Sequence, residues 1–206
     1  MALNTMTILL TKLAFPLRKF GTNFLRYLIY LKARFVLITL LILGSSFQLA
    51  IADESLEEGI KAAYLYKFSS YVDWPSTAFT SPTSPFTLCL LGSNDQFNAT
   101  LKKIVREESV NGHKIVVNEI RTPEKEAGCH ILYIGTTESQ DLSTIIDNMR
   151  GSNVLTVSDN ADQGIIGFTI INNRLRFNID AAAAAENGLV ISSRLLRLAV
   201  NVKRRE

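Results

Sequence analysis

CHILYIG, residues 129–135, is a short apolar run that ends in a glycine. A run without polar alternation is typical of a strand that is buried on both faces, as in a parallel sheet covered by helices on each side. FTLCLLG, residues 86–92, and VLTVSD, residues 154–159, have the same character. Stretches with the spacing of amphipathic helices lie between these runs. We therefore predict a single-domain α/β sandwich with a largely parallel sheet and helices on both faces.

The rest of the chain can be assigned around this sheet. HKIVVNEI, residues 113–120, predicts a further strand, and the two predicted strands GFTIIN and RLRFNID would form an antiparallel carboxy-terminal hairpin that turns near Asn172 and Asn173. The remaining periodic stretches predict helices: SNDQFNATLKKIVRE (93–107), ESQDLSTIIDNMR (138–150), AAAAAENG (181–188) and SSRLLRLAVNV (192–202).

The stretch KAAYLYKFSSYVDWP, residues 61–75, is crowded with aromatic side chains. A helix over 57–72 would place Ile60, Tyr64, Phe68 and Tyr71 on one stripe, which favours packing against the sheet. Tyr66 and Trp74 fall outside that stripe and are the better candidates for surface contacts.

The amino-terminal segment predicts a secretory signal peptide over residues 1–52. It holds six basic and no acidic residues, an apolar stretch at 35–43 and an Ala-Ile-Ala site that predicts cleavage after Ala52. An uncleaved membrane anchor is the alternative, because residues 35–52 are uncharged and near the lower length limit for a spanning helix. Both interpretations place residues 53–206 outside the cytoplasm, and cleavage would leave no stable membrane insertion.

Charge and cysteine content narrow the class of protein further. The full chain carries 22 basic and 19 acidic residues, and residues 53–206 keep 16 basic against 19 acidic, a net charge of −3. A mildly acidic domain has no electrostatic footprint for nucleic acid. Cys89 and Cys129 predict a structural disulfide in an oxidising compartment. A redox-active pair is the alternative, but it usually has Cys-x-x-Cys spacing.

No catalytic, metal or cofactor site emerges from the motifs, so we expect a protein that is not an enzyme. Cys129 and His130 are adjacent in a predicted strand, where neighbouring side chains point to opposite faces. Gly92 alone does not make a phosphate-binding loop, which needs several glycines at fixed spacing. His113 is the only histidine besides His130, and these two residues do not make up the ligand set of a zinc site. Asp159 ends a strand, as a phospho-acceptor would, but the acidic cluster and the cytosolic phosphodonor of such a site are both missing.

Two sets of residues are candidates for partner binding. Ile165, Ile166 and Phe168 could form an apolar patch, although they could equally enter the sheet. Arg194 and Arg197 lie three positions apart on a predicted helix and could grip an anionic partner, with a solvated helix face as the alternative.

Four stretches together resemble the YfiR family of bacterial periplasmic proteins. They are KAAYLYKFSSYVDWP, FTLCLLGSN, CHILYIG and the closing run from LTVSD to GLVISSRLLRLA. The resemblance implies a non-enzymatic periplasmic negative regulator. The family's namesake binds the periplasmic sensor domain of an inner-membrane diguanylate cyclase and so lowers cyclic di-GMP and biofilm formation.

The resemblance also bears on the cysteines and on the expected partners. It implies the bridge between Cys89 and Cys129, whereas the namesake's second cysteine pair has no counterpart in residues 151–206. The expected partners are the cyclase and a second copy of the chain in a homodimer. Because the family also occurs fused to other signalling proteins, a periplasmic small-molecule-binding sensor module remains the alternative function.

Overall fold

A computed structural model describes residues 17–135 and 141–204. The chain forms two compact units, Met1–Asp53 and Glu54–Glu206. The first sixteen residues of the predicted signal peptide lie outside the described residues, and cleavage after Ala52 stays a prediction. In the part of the chain that the structure describes, no helix has the length and apolar character needed to cross a membrane.

Helices and strands alternate along the chain. The helices are α1 (Leu17–Ser69), α2 (Asp95–Val105), α3 (Leu142–Asn148), α4 (Ala181–Glu186) and α5 (Ser193–Leu196). The strands are β1 (Val72–Asp73), β2 (Phe86–Leu91), β3 (Ser109–Val110), β4 (His113–Glu119), β5 (Ile131–Ile134), β6 (Leu155–Ser158), β7 (Ile166–Ile171), β8 (Arg174–Asp180), β9 (Val190–Ile191) and β10 (Val202–Lys203).

Most strands belong to one mixed sheet with the order β10-β8-β7-β6-β5-β2-β4-β3 among the described residues. Strands β4, β2, β5, β6 and β7 run parallel, and β7 and β8 form an antiparallel hairpin that turns at Asn172 and Asn173, both with positive φ. The predicted fold class is therefore confirmed. The hairpin is not the edge of the sheet, however, because β10 pairs with β8 outside it.

The sheet is buried on both faces, as the apolar runs indicated. Along β2, Leu88 and Leu90 belong to the larger core cluster, with α1, whereas Cys89 and Leu91 belong to a second cluster. Side chains in a strand point alternately to opposite faces, so one run supplies two cores. The second cluster is completed from α3 and the segment after it, which contributes Met149.

The face of α1 that packs on the sheet differs from the predicted stripe. Ala62, Leu65 and Phe68 are fully buried, whereas Ile60 is 39% exposed and Tyr64 is partly buried. The predicted stripe consists mainly of large aromatic residues. In the structure Ala62 and Leu65 face the strands instead, and the small side chain of Ala62 lets the helix lie close to the sheet. Tyr64 still contributes, since its ring lies edge-on to Phe177 with centroids 5.5 Å apart.

The last predicted helix is much shorter than expected. Helix α5 ends at Leu196, and the chain then extends to pair Val202 with Ile179 of β8. Leu198, within the stretch predicted as helix, is exposed. A backbone ladder along β8 therefore replaces the last turns of the predicted helix.

Candidate functional site

The parallel sheet has a point where the chain changes direction. Strand β2 lies between β4 and β5, so the connection from β2 leads to one side and the chain later returns to the other side. Open α/β sheets bind ligands outside the carboxyl ends of the strands at such a point. Gly92 and Gly135 follow β2 and β5 there, and a Cβ atom on Gly135 would lie 2.5 Å from the Gly92 carbonyl oxygen. The close approach of these two segments therefore requires a glycine.

Three elements bring polar side chains to this end of the sheet. Helix α1 provides Glu57 and Lys61, β5 provides Tyr133, and Asp159 directly follows β6. The Lys61 Nζ atom lies 3.0 Å from Glu57 Oε1 and 3.1 Å from Asp159 Oδ1. The Tyr133 hydroxyl donates a hydrogen bond of 2.9 Å to Asp159 Oδ2. The result is a linked group of two carboxylates, one ammonium and one phenol.

The protonation states of this group follow from its surroundings. Burial alone lowers the pKa of Lys61, but Asp159 and Glu57 outweigh it and raise that pKa above its usual value. Burial, followed by the charge of Asp159, raises the pKa of Tyr133 far above its usual value. Lys61 therefore stays charged and Tyr133 stays a donor at neutral pH. Neither residue is prepared to act as a base or a nucleophile, so the arrangement suits binding better than proton transfer.

These side chains border a cleft with two parts. The larger part has a volume of about 650 Å³ and the smaller about 300 Å³, and both are lined by Glu57, Lys61, Gly135 and Asp159. The larger part also has apolar lining residues: Ile134, Leu142, Phe168, Ile170 and Leu175. Its size and mixed lining are those of a small-molecule site.

The predicted apolar patch is not at the surface. Ile165, Ile166 and Phe168 are buried in the larger core cluster, and Ile166 and Phe168 belong to β7. An exposed patch of these three side chains is therefore wrong for this structure, and the alternative interpretation, entry into the sheet, describes their position. Of the three, Phe168 does line the cleft.

The predicted arginine pair is accessible. Arg194 lies in α5 and Arg197 follows its last residue, and both side chains are exposed. Three apolar residues close to them in sequence are also exposed: Val190 at 63%, Leu198 at 61% and Val200 at 52%. A role of the two arginines in partner binding stays a prediction.

A disulfide joins Cys89 in β2 to Cys129, the residue directly before His130. His130, next to Cys129, is only 5% exposed. Its Nδ1 atom accepts a hydrogen bond of 3.0 Å from the Thr87 amide. In the described part of the chain, no group of three or more His, Cys, Asp or Glu side chains could hold a metal ion.

The two aromatic residues proposed for surface contacts are mostly engaged within the chain. The Trp74 ring lies edge-on to Phe86 at 4.9 Å, and its indole nitrogen donates a long hydrogen bond of 3.3 Å to the His130 carbonyl. The Tyr66 hydroxyl donates to Glu108 Oε2 at 2.6 Å. Both side chains are partly buried against the core.

Sequence reasoning missed the link between Lys61 and Asp159. Asp159, directly after a strand, is a visible signal, but in the sequence it indicates only a phospho-acceptor position. The position of Lys61 on the opposing helix depends on how α1 crosses the sheet, which no local pattern reveals.

The comparison with protein families identifies the family of this chain. A family model described as YfiR/HmsC-like matches residues 58–200, which include every strand from β1 to β9. None of the curated proteins matches the chain. The family match suggests a periplasmic regulator of cyclic di-GMP signalling.

Proposed function

This chain belongs to the YfiR/HmsC-like family, and on that premise we propose that it restrains an inner-membrane diguanylate cyclase by binding the cyclase's periplasmic domain. The restraint would lower cyclic di-GMP without any chemical step by this chain. The single observation that carries the proposal is the family match over residues 58–200. Secretion through residues 1–52 with cleavage after Ala52 is part of the proposal.

Restraint of this kind requires only a difference in affinity. The chain must bind the inactive conformation of the cyclase more tightly than the active one, because a ligand with equal affinity for both conformations shifts nothing. A complete reversal, from 1:99 to 99:1, needs a ratio of affinities of about 10⁴. Partial restraint needs a smaller ratio.

The exposed carboxy-terminal segment is our candidate surface for the contact with the cyclase. Arg194 and Arg197 lie within the same short segment as the exposed Val190, Leu198 and Val200. Arginine is enriched at protein interfaces, where apolar contact area is combined with hydrogen bonds to carboxylates or carbonyl groups. We name residues 190–200 the carboxy-terminal surface and assign the contact with the cyclase to it.

The first experiment compares cellular cyclic di-GMP in a strain that lacks the gene with that in its parent. We expect cyclic di-GMP to rise in the deletion strain. The rise should be reversed by the gene with residues 1–52 and not by a gene without them. Unchanged cyclic di-GMP across several growth conditions would contradict the proposal.

A second experiment tests the carboxy-terminal surface. Changing Arg194→Glu together with Arg197→Glu should raise cyclic di-GMP towards the level of the deletion strain, while the purified variant keeps its melting temperature. The matched control is Arg106→Glu together with Arg121→Glu, which changes the charge equally at two exposed positions elsewhere. An effect of the control variant as large as that of the first would argue against a specific surface.

A further inference from the structure

We propose that Asn111 is a site of spontaneous covalent modification, at which the side-chain amide is lost as ammonia and an acid takes its place. Water is the only co-reactant. The site is the turn between β3 and β4, where Asn111 and Gly112 connect the two strands. This modification goes beyond the restraint of a cyclase and does not depend on it.

The reaction requires an asparagine whose side chain can be attacked by the next backbone nitrogen. The Gly112 nitrogen loses its proton and forms a bond to Asn111 Cγ, the bond from Cγ to Nδ2 breaks, and ammonia leaves with that proton. Water then adds to one carbonyl group of the resulting cyclic imide and opens the ring, which leaves aspartate or isoaspartate at position 111. Glycine favours the first step, because it has no side chain to block its nitrogen and its backbone is flexible.

The sequence contains two Asn-Gly pairs, and the structure places them in opposite surroundings. Asn111 and Gly112 are both exposed. Asn187, by contrast, is only 4% exposed. Its Nδ2 atom donates to the Val154 carbonyl oxygen at 2.7 Å, and its Oδ1 atom accepts from the Gly151 amide at 2.8 Å. The Asn187 side chain is therefore held away from the backbone nitrogen that would attack it.

The two glycines differ in the same way. The Gly188 amide donates to the Ala185 carbonyl oxygen at 3.0 Å, and a Cβ atom on Gly188 would lie 2.9 Å from Asn153 Nδ2. A Cβ atom on Gly112 would meet none of the described atoms within 4 Å. Attack by the Gly188 nitrogen requires a hydrogen bond and close packing to be broken, whereas Gly112 lies in open space.

The turn at Asn111 has to open before the new bond can form. In the closed turn Asn111 has a φ of 51° and Gly112 a φ of 87°, and the backbone must rotate to bring the Gly112 nitrogen against Asn111 Cγ. Strand β3 is two residues long and lies at the edge of the sheet. Short elements at an edge open locally at a small cost in free energy, so the turn reaches the reactive conformation without unfolding of the domain.

The two products should affect the structure differently. Val110, directly before the site, is 4% exposed and belongs to the larger core cluster. Isoaspartate lengthens the main chain by one methylene group, so β3 would lose its register with β4 and Val110 its place in the core. Aspartate leaves the main chain unchanged and adds a negative charge close to the exposed Lys114.

The test compares the two asparagines within one sample. The purified protein is incubated in mildly alkaline buffer, and mass spectrometry follows the peptides that contain positions 111 and 187, with isoaspartate identified by enzymatic methylation. In the folded protein we expect position 111 to convert at least about tenfold faster than position 187, since local opening at the edge costs less free energy than opening of a buried turn. In urea the two positions should convert at similar rates, because the fold then protects neither.

A third asparagine separates the effect of glycine from that of exposure. Asn173 is exposed in the turn between β7 and β8 and also has a positive φ, 57°, but Arg174 follows it. The side chain of Arg174 hinders attack by its backbone nitrogen, so position 173 should convert more slowly than position 111 in the folded protein and also in urea.

The variant Asn111→Asp separates the two products. It carries the charge of the aspartate product from the start and should keep the wild-type melting temperature, because aspartate also tolerates a positive φ. Wild-type protein in which isoaspartate has accumulated should melt at a lower temperature, whereas Asn111→Asp incubated in the same way should change much less.

Two results would overturn the proposal. One is no conversion at position 111 in the folded protein over a time in which the chain in urea converts there. The other is equal conversion at positions 111 and 187 in the folded protein. Neither result bears on cyclic di-GMP, so the restraint of the cyclase would stand or fall separately.

Discussion

The two ends of the parallel strands bury polar side chains in opposite ways. At the carboxyl end, Lys61 and Asp159 are charged, pair with each other and border an open cleft. At the amino end, His130 is enclosed by aromatic rings. Burial lowers the pKa of His130 to about 4. One end of the sheet therefore keeps charge by pairing it, and the other excludes charge.

The amino end is closed by a continuous series of rings. Trp74 contacts Phe86, Phe86 stacks on His130 at 4.7 Å, and His130 lies 4.5 Å from Phe79. Phe79 in turn stacks on His113 at 4.1 Å. These rings bury His130 in apolar surroundings, and that burial is the largest cause of its lowered pKa.

The hydrogen bonds of His130 lead to the same conclusion. Because Nδ1 accepts from the Thr87 amide, the proton of the neutral ring is on Nε2. A backbone interaction with Ala78 favours the protonated ring and burial opposes it, while Nε2 makes no hydrogen bond within the described residues. A second proton on Nδ1 would remove the bond from Thr87.

The largest expected effect concerns the core between the two ends. Changing Ile165→Asp together with Ile166→Asp should abolish the folded state, because two carboxylates would enter an apolar core without partners. Circular dichroism and a melting curve measure this. Ile171→Asp, at a partly exposed position near the end of the same strand, is the control and should melt cooperatively. A folded double variant would show that β7 is not part of a closed core.

The disulfide should have the next largest effect, because it ties the amino end together. Changing Cys89→Ala together with Cys129→Ala opens a loop of 40 residues. The loop-entropy estimate is a loss of about 4 kcal/mol in the free energy of unfolding. Urea unfolding checks this, and a reductant should destabilise the wild-type protein by a similar amount and leave the variant unchanged. Equal unfolding midpoints for variant and wild type would contradict the estimate.

The fold could be predicted from the sequence because its main signals are local. The runs at 86–92, 129–135 and 154–159 are mostly apolar where the sheet buries them, with Thr87, His130, Thr156 and Ser158 as the buried polar residues. The number of central strands therefore follows from the runs, and their parallel direction follows from the helices between them. The two-residue strands β1, β3, β9 and β10 could not be found in this way. Their pairing is decided by the backbone that lies beside them and not by their own side chains.

The candidate site was less accessible to prediction than the fold. The disulfide was anticipated, since a pair of cysteines in an oxidising compartment suffices to suggest it. Lys61 and Asp159, by contrast, lie far apart in the sequence and meet only through the crossing of α1 over the sheet. The patch of Ile165 and Ile166 shows the opposite error, because exposure cannot be read from a sequence that fits both a surface loop and a core strand.

Acid should weaken the fold through the amino end. In the folded protein the pKa of His130 is about 4, against 6.5 in the unfolded chain. Between these values the unfolded chain binds more protons, so the free energy of unfolding falls as the pH falls from 6.5 to 4. The expected loss is about 3 kcal/mol.

Urea unfolding at several pH values separates His130 from the other titrating groups. His130→Asn should remove this part of the pH dependence, because asparagine can still accept a hydrogen bond and does not titrate. His113→Asn is the matched control and should retain most of the slope, since burial is the largest cause of the lowered pKa of His130 and the charge of His113 is the smallest. If the free energy of unfolding of His130→Asn depended on pH as strongly as that of the wild type, the proposed contrast between the two ends of the sheet would be wrong.

The smallest effect concerns the ion pair at the carboxyl end, and a double-mutant cycle measures it. Lys61→Met, Asp159→Asn and the double variant should give a coupling energy of about 1–2 kcal/mol, because residues in direct contact within one network are not additive. The pair is 15% and 10% exposed, so water screens it only partly.

The control cycle uses Arg150 and Asp147, a pair that is 61% and 64% exposed, where a coupling of about 0.5 kcal/mol or less is expected. Both cycles should be measured at pH 7, where the raised pKa of Lys61 keeps this side chain charged. The stability that the ion pair contributes is lost only as the pH rises through the pKa of Lys61. Equal coupling in the two cycles would mean that water screens the pair in the cleft as fully as a pair on the open surface, and the contrast between the two ends of the sheet would then fail.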